Sequence, residues 1–445
     1  MHGRYILRTA ARRWGNREPL ATISPPQSVT DLSDDTALSR LRQLEAASAK
    51  IPVRDALAQP GRPGVSSIYI HIPFCSHKCH YCDFYSFVDS RDRQRAFTSR
   101  LIRELASLAP LAGPVQTIFV GGGTPSLLKA ELWQELLASL QETYDLSPFL
   151  KGDGEFTVEC NPESVSEELL GVLKSGGVNR ISMGAQSFNP EHLKTLERLH
   201  NPASVPVAVE LVRNAGIDRV SVDLIYAIPG QSLQDLEHDL RHALAMPIEH
   251  LSCYELTYEP NTAMTKRLGM GEFVRTPEEL EIEMFELVGA MATQAGFERY
   301  EVSNYAKPGC ECRHNLAYWK QDEWIAAGPS ASAHIGGHRY KNVPRLESYL
   351  TGDDEGFAMI VDHEPPDPVR LVQEKLMTGL RLREGLDVDS LLENLNAANA
   401  RRVRETATEF ENLGQLERTE GRWKLTPSGV LLADGIAGSL LSVIA

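Results

Sequence analysis

Cys75, Cys79 and Cys82 stand in the run Cys-Ser-His-Lys-Cys-His-Tyr-Cys, a C-x₃-C-x₂-C spacing. Three thiolates are enough to hold three corners of a cubane iron–sulfur cluster. The fourth iron then has no ligand from the chain, and an open iron can take a small molecule. Two other readings compete. Three thiolates and one imidazole could close around zinc, with His71, His77 and His80 near the run, although structural zinc sites usually draw on two separated pairs. The thiols could also be unrelated to metal. A disulfide framework fails on parity, because the 7 Cys lie at 75, 79, 82, 160, 253, 310 and 312. An odd number without a paired pattern suits a reducing, cytoplasmic setting.

Two further groups of residues could do chemistry. Gly121-Gly122-Gly123-Thr124-Pro125 follows an apolar run. Glycines there would let backbone approach a ligand, and their N–H and C=O groups could hold an amino acid's carboxylate and ammonium. Downstream, His314-Asn315-Leu-Ala-Tyr318-Trp319 combines an imidazole with flat aromatic faces, and Cys310 and Cys312 precede it. A neutral imidazole is a haem-iron ligand, and aromatic faces suit a porphyrin. His314 is the first candidate for that role, with His71 a weaker one. A histidine satisfied inside an aromatic core is the competing explanation.

The elements that must position these residues read as an alternation. Apolar, β-branched runs at 67–72, 116–120, 155–160, 179–183, 218–225 and 250–254 predict strands. Helical periodicity at 95–109, 129–144, 166–175, 202–215, 233–245 and 277–295 separates or follows them. Ser166 is a predicted N-cap, with Glu167 and Glu168 at the positive helix end. Alternating strands and helices mean βαβ units and a parallel sheet. Six units are fewer than the eight of a closed barrel. The expected fold is therefore α/β, an open partial (β/α)₆ barrel. Ligands in such sheets lie at the C-terminal strand ends, where Cys75, Gly121–Gly123, Glu159 and Asp223 fall.

Composition sets the outer limits. The chain has 445 residues, 42% hydrophobic and 24% charged, with a formal net charge of −15. That length predicts two or three domains. The acidic balance argues against an extended nucleic-acid surface. No apolar run is long enough to span a membrane, and the Leu431–Ala445 stretch, broken by Asp434, is a poor anchor, leaving only peripheral membrane contact. Arg4, Arg8, Arg12, Arg13 and Arg17 face one acid, Glu18, over the first twenty residues. This start reads as a bacterial extension, or as an organelle presequence if the source is eukaryotic, which would place the protein in mitochondria. We divide the chain into an extension with little order at 1–65, a barrel at 66–295, a middle segment at 296–365, and a small helical, winged-helix-like domain at 366–445. Monomer and homodimer are both compatible with the sequence.

Tyr69-Ile-His-Ile-Pro-Phe-Cys75, the three-cysteine run and the GGGTP loop together resemble the radical S-adenosylmethionine superfamily. Within it they resemble the branch that holds the oxygen-independent coproporphyrinogen III oxidases and the HemW-type haem chaperones. The likeness covers roughly residues 66–440. It implies a [4Fe–4S] cluster on Cys75, Cys79 and Cys82, with S-adenosyl-L-methionine on the open iron. It also implies cofactor contacts from Tyr69, Tyr81, Gly122, Gly123, Thr124, Glu159, Gln186, Arg198 and Asp223. One electron from the cluster would break a sulfur–carbon bond, giving methionine and a 5′-deoxyadenosyl radical. The oxidases carry a fourth cysteine two residues after the third ligand. This chain has Phe84 there, and its His314 block resembles the H-N-x-x-Y-W block of the chaperones. The implied function is haem binding and delivery to haem-accepting respiratory proteins, with an electron donor still to be identified. Porphyrinogen decarboxylation is the alternative. One departure is Ala227-Ile-Pro-Gly230, where relatives commonly show Gly-Leu-Pro-Gly, and alanine restricts positive φ.

Overall fold

The structure, a computed structural model, describes residues 46–419 and 421–444. The arginine-rich start lies outside the described residues. Six strands form the frame: β1 (Val65–Ile72), β2 (Ala112–Gly122), β3 (Glu155–Cys160), β4 (Arg180–Gln186), β5 (Arg219–Tyr226) and β6 (His250–Glu255). They lie in chain order, each parallel to the next. Helices α1 (Gln94–Leu108), α2 (Ala130–Thr143), α3 (Glu167–Ser175), α4 (Ser204–Asn214), α5 (Leu233–Ala245) and α6 (Glu278–Gln294) follow the strands in turn. The expected ends are met within a few residues. Ser166 accepts the Leu169 N–H as read, and Ser232 and Asp235 close a capping box on α5.

Buried parallel strands usually read as continuous apolar runs. These alternate instead. Ile68, Ile70, Ile72, Ile118, Val120, Phe156 and Val158 are buried in the main apolar core. The intervening residues are Ser67, Tyr69, His71, Thr117, Glu155, Thr157 and Glu159. Register places Tyr69 beside Phe119, Phe119 beside Thr157 and Thr157 beside Arg180. One face thus packs in the core, and the other lines an interior rich in polar groups. The period-2 pattern is the sequence mark of that interior.

The middle segment, irregular by composition, completes the frame. β7 (Glu298–Arg299) and β8 (Asn304–Ala306) pair antiparallel beyond β6. A helix follows, α7 (Arg313–Lys320), and then β9 (Ile325–Ala327), which returns to pair parallel with β1 at the opposite edge. The nine-stranded sheet therefore runs β9-β1-β2-β3-β4-β5-β6-β8-β7. The strands this segment adds, β7, β8 and β9, are too short for periodicity to reveal.

A second sheet joins β10 (Ser332–Ile335), β11 (His338–Asn342), β12 (Met359–Glu364) and the short strand Ala47–Ser48. Ala47 pairs with Ile360, and Val53 and Ala56 of the following helix are buried. Residues 46–65 are therefore part of the fold, and the expected boundary at residue 65 falls inside it. Glu104 on α1 fastens this sheet, accepting from Tyr349 Oη at 2.6 Å, Asn342 Nδ2 at 2.7 Å and Gly328 N at 2.9 Å.

The C-terminal unit has a core of its own, including Val372, Leu376, Leu392, Val403, Trp423 and Leu440. Three helices, α8 (Pro368–Gly379), α9 (Val388–Leu392) and α10 (Ala397–Asn412), precede a hairpin of β13 (Leu416–Thr419) and β14 (Arg422–Leu425). This is the expected winged-helix order, with a closing helix at Ala433–Ser442. Among the described residues no helix is long and apolar enough to cross a membrane.

Candidate functional site

The three cysteines sit on the loop that leaves β1, at the C-terminal end of the sheet. All are free thiols and partly exposed. Each meets a different polar neighbour: Thr124 Oγ1 lies 3.6 Å from Cys75 Sγ, an Arg198 guanidinium nitrogen 3.8 Å from Cys79 Sγ, and Lys78 Nζ 3.8 Å from Cys82 Sγ. Burial pushes the Cys82 thiol up, and Lys78 and the Phe84 N–H pull it back. Cations beside thiols favour the thiolate, the form that binds metal.

A hydrogen-bonded chain connects two of these contacts. Asn161 Nδ2 donates to Thr124 Oγ1 at 3.3 Å, and Arg198 donates to Asn161 Oδ1 at 3.1 Å and to the Gly184 carbonyl at 2.6 Å. Asn161 and Lys78 were not singled out from the sequence. Asn161 follows the last residue of β3 and precedes Pro162, so its place at the strand end was visible, but its partners are distant in the chain. Gln186 has φ +66°, at a register shift between β4 and β5. A bulge with left-handed backbone re-aims a side chain, and such strain gathers at functional sites.

The glycine loop has a structural reason within the chain itself. A Cβ on Gly122, whose φ is +106°, would lie 2.3 Å from the His71 ring, and one on Gly123 would lie 2.7 Å from the Phe74 carbonyl. The glycines let this loop press against the end of β1 and the start of the cysteine loop. The Gly123 N–H reaches Ile72 O at 2.8 Å, and the Thr124 N–H reaches Phe74 O at 2.7 Å. The Gly122 N–H donates to Glu159 Oε2 at 3.1 Å. Desolvation, and then the neighbouring Asp223, raise the Glu159 carboxyl to about 7. Asp223 accepts from Ser182 and Ser221.

Two of the three histidines near the thiols are already engaged, whereas His77 Nε2 is buried without a hydrogen-bond partner, 3.8 Å from Glu197 Oε2. Tyr69 Oη and His71 Nδ1 lie 3.0 Å apart, and His71 Nε2 lies 2.8 Å from the Tyr85 carbonyl. The carbonyl only accepts, so Nε2 carries the proton and Nδ1 accepts from Tyr69. Burial lowers His71 to about 4 and keeps it neutral. His80 Nδ1 faces Arg267 at 3.2 Å and accepts from it. His71 is thus neither a fourth zinc ligand nor a free haem ligand. Among the described residues no three His, Cys, Asp or Glu side chains close on one point as ligands of a single ion would.

His314 lies at the other end of the sheet. It is fully buried. Its Nδ1 meets Thr117 Oγ1 at 2.8 Å, its Nε2 meets Tyr318 Oη at 2.8 Å, and its ring stacks on Phe119 at 5.4 Å. Burial lowers it to about 3. Glu155 accepts the Arg313 and His314 N–H groups, both at 3.1 Å, at the N-terminus of α7. A buried carboxylate there satisfies orphan helix donors and complements the dipole. Neither ring nitrogen has a lone pair free for iron, so the geometry gives His314 a structural task in place of the expected haem ligation. Cys312 is buried against Glu155 and pushed up to about 12 by burial.

The donor set fits a cluster and its cofactor on two observations. Three partly exposed thiols share one loop, each with a polar neighbour. Arg198 Nε is buried without a hydrogen-bond partner, a cation waiting for an acceptor. Tyr81, inside the cysteine loop, packs against a cluster that includes Leu196, Ile225 and Met264. The comparisons agree with this geometry. The radical SAM superfamily profile matches residues 69–243, and the HemN C-terminal domain profile matches residues 368–432. The solved coproporphyrinogen III oxidase HemN of Escherichia coli superposes with a TM-score of 0.76 at 21% identity, over 91% of this chain and 98% of its own. The fold and the three-cysteine loop thus define a radical SAM protein. The haem chaperone HemW of Bacillus subtilis is 33% identical over 380 residues, covering 85% of this chain and 99% of that one. The Mycobacterium tuberculosis HemW is 36% identical over 388 residues, covering 86% and 96%. The chain belongs to the HemW family.

Proposed function

We propose that this protein binds haem and hands it to haem-dependent, respiratory acceptor proteins, and that Cys75, Cys79 and Cys82 hold a [4Fe–4S] cluster beside S-adenosyl-L-methionine. When bound, such a cluster supplies single electrons to the sulfonium cofactor. The residues of the chain would then have distinct tasks. Arg198, with its unpartnered Nε, would pair with the cofactor carboxylate. Glu159 and Asp223 would accept from ribose hydroxyls. Tyr81 would lie against the adenine, and Tyr69, Gly122, Gly123, Thr124 and Gln186 would shape the remaining contacts.

The observation that carries the chaperone reading is Phe84. It stands where the decarboxylating oxidases have a fourth cysteine, and its side chain is 54% exposed. The free cysteines are consistent with a reducing cytoplasm, and delivery to a respiratory protein would need only peripheral contact with a membrane. Anaerobic reconstitution tests the whole reading. Iron and sulfide should be retained, one haem should bind per chain, and coproporphyrinogen should not be converted. Formation of protoporphyrinogen would overturn the chaperone reading in favour of the oxidase.

A further inference from the structure

The turn at Gln186 is held from outside the site. The Ser187 N–H donates to the Ala185 carbonyl at 2.8 Å, across a residue whose φ is +66°. A hydrogen bond from i+2 back to i around a positive φ makes a γ-turn of the rare, strained form. Residues other than glycine seldom adopt that backbone, and it persists only where the surroundings over-determine it. The turn folds the Gln186 amide back over Gly184. A Cβ on Gly184 would lie 2.8 Å from Gln186 Nε2, 3.4 Å from Arg198 Nη2 and 3.9 Å from Asn161 Oδ1. The amide thus stands beside the two groups that reach Cys79 and Thr124. Its own side chain makes no hydrogen bond among the described residues.

What fixes the turn comes from α5. Asp239 is 1% exposed and divides its carboxylate between the two residues after Gln186. Ser187 Oγ donates to Oδ2 at 2.7 Å, and the Phe188 N–H donates to Oδ1 at 2.6 Å. Both partners donate, so the ionised carboxylate fits, and hydrogen bonds to an ionised acceptor are the strong ones. Ser187 Oγ accepts the Asn189 N–H at 3.0 Å in its turn. Asp235, one helical turn before Asp239, accepts from Asn189 Nδ2 at 3.3 Å. One oxygen on each of two successive residues sets the path of the chain as it leaves Gln186. Among the described residues Asp239 makes no hydrogen bond with Gln186, Asn161 or Arg198. Its reach to the site runs through the backbone alone.

We propose that Asp239 is a positioning residue for S-adenosyl-L-methionine. By clamping Ser187 and Phe188 it holds the strained turn at Gln186 and keeps the amide aimed beside Arg198. This rests on the cofactor reading above, in which Gln186 is a contact. Equilibrium dialysis of S-adenosyl-L-methionine against the full-length, cluster-loaded protein tests it, with wild type, Gln186→Ala, Asp239→Ala and the double variant. Each single variant should raise the Kd by about tenfold with iron and sulfide unchanged, and the double variant should bind no more weakly than Gln186→Ala alone. Should Asp239→Ala fail to fold, Asp239→Asn and Ser187→Ala, each of which disturbs one of the two contacts, enter the same cycle with smaller losses that again vanish beside Gln186→Ala. Losses that multiply in the double variant would show Asp239 acting on the fold at large, and the inference would be wrong. It is equally wrong if Asp239→Ala or Gln186→Ala binds as wild type does, and the cofactor reading then survives it. If wild type itself binds no S-adenosyl-L-methionine, the cofactor reading falls and takes the inference with it.

Discussion

The two ends of the barrel use the same residue types to opposite effect. At the mouth, Cys75, Cys79 and Cys82 are half-exposed, with contacts of 3.6–3.8 Å to single polar neighbours, and Arg198 Nε has no partner. At the base, Cys312, His314 and Glu155 are buried, and the ring nitrogens of His314 are both engaged at 2.8 Å. A ligand site needs spare bonding capacity, which the mouth has and the base has used. A cysteine and a histidine close together do not mark a binding site when their atoms are satisfied by the fold.

The contrast breaks most sharply at the thiols. Replacing any one of Cys75, Cys79 or Cys82 by alanine should remove most of the iron, about four per chain in a full cluster, and its brown absorbance. Retention of full iron and sulfide by a triple variant would sink the assignment. At the base, His314→Ala should cost about 2–4 kcal/mol, because it leaves a cavity and two unpartnered hydroxyls. Denaturant unfolding measures this, and the folded fraction should still bind haem. A stable variant that loses haem would reverse the roles given to the two ends.

Arg198→Ala should weaken S-adenosyl-L-methionine by about tenfold or more in equilibrium dialysis. The ends should also respond oppositely to pH. His314 is lowered to about 3, so the stability its burial confers is lost as pH falls from 6.5 toward that value. Glu159 is raised to about 7, so its contribution is present below 4.5 and lost as pH rises through 7. Glu159→Gln should flatten the neutral side of the stability curve, and an unchanged slope would contradict the desolvated carboxyl. The smallest effect belongs to Ala227, which holds φ +60°. Ala227→Gly should stabilise by up to about 1 kcal/mol, since left-handed backbone costs alanine about that much.

The six βα units and the C-terminal module were legible because their periodicity runs over many residues. β7, β8 and β9 were not, since two or three residues carry no period, and only pairing with β6 and β1 makes them strands. At the site, the three-cysteine loop was legible from its spacing alone. Asn161 was hidden because it bridges Thr124 and Arg198, which are neighbours only in the folded sheet. His314 misled for the same reason: Thr117 and Glu155, which occupy it, come from distant strands.

The position of β1 between β2 and β9 bears on biosynthesis. The strand that carries the thiols leaves the ribosome early, yet its second neighbour, Ile325–Ala327, is made far later. Until then β1 is an open edge. During translation the cysteines therefore spend a long interval beside a half-built sheet, open to solvent until the chain that covers them has been made.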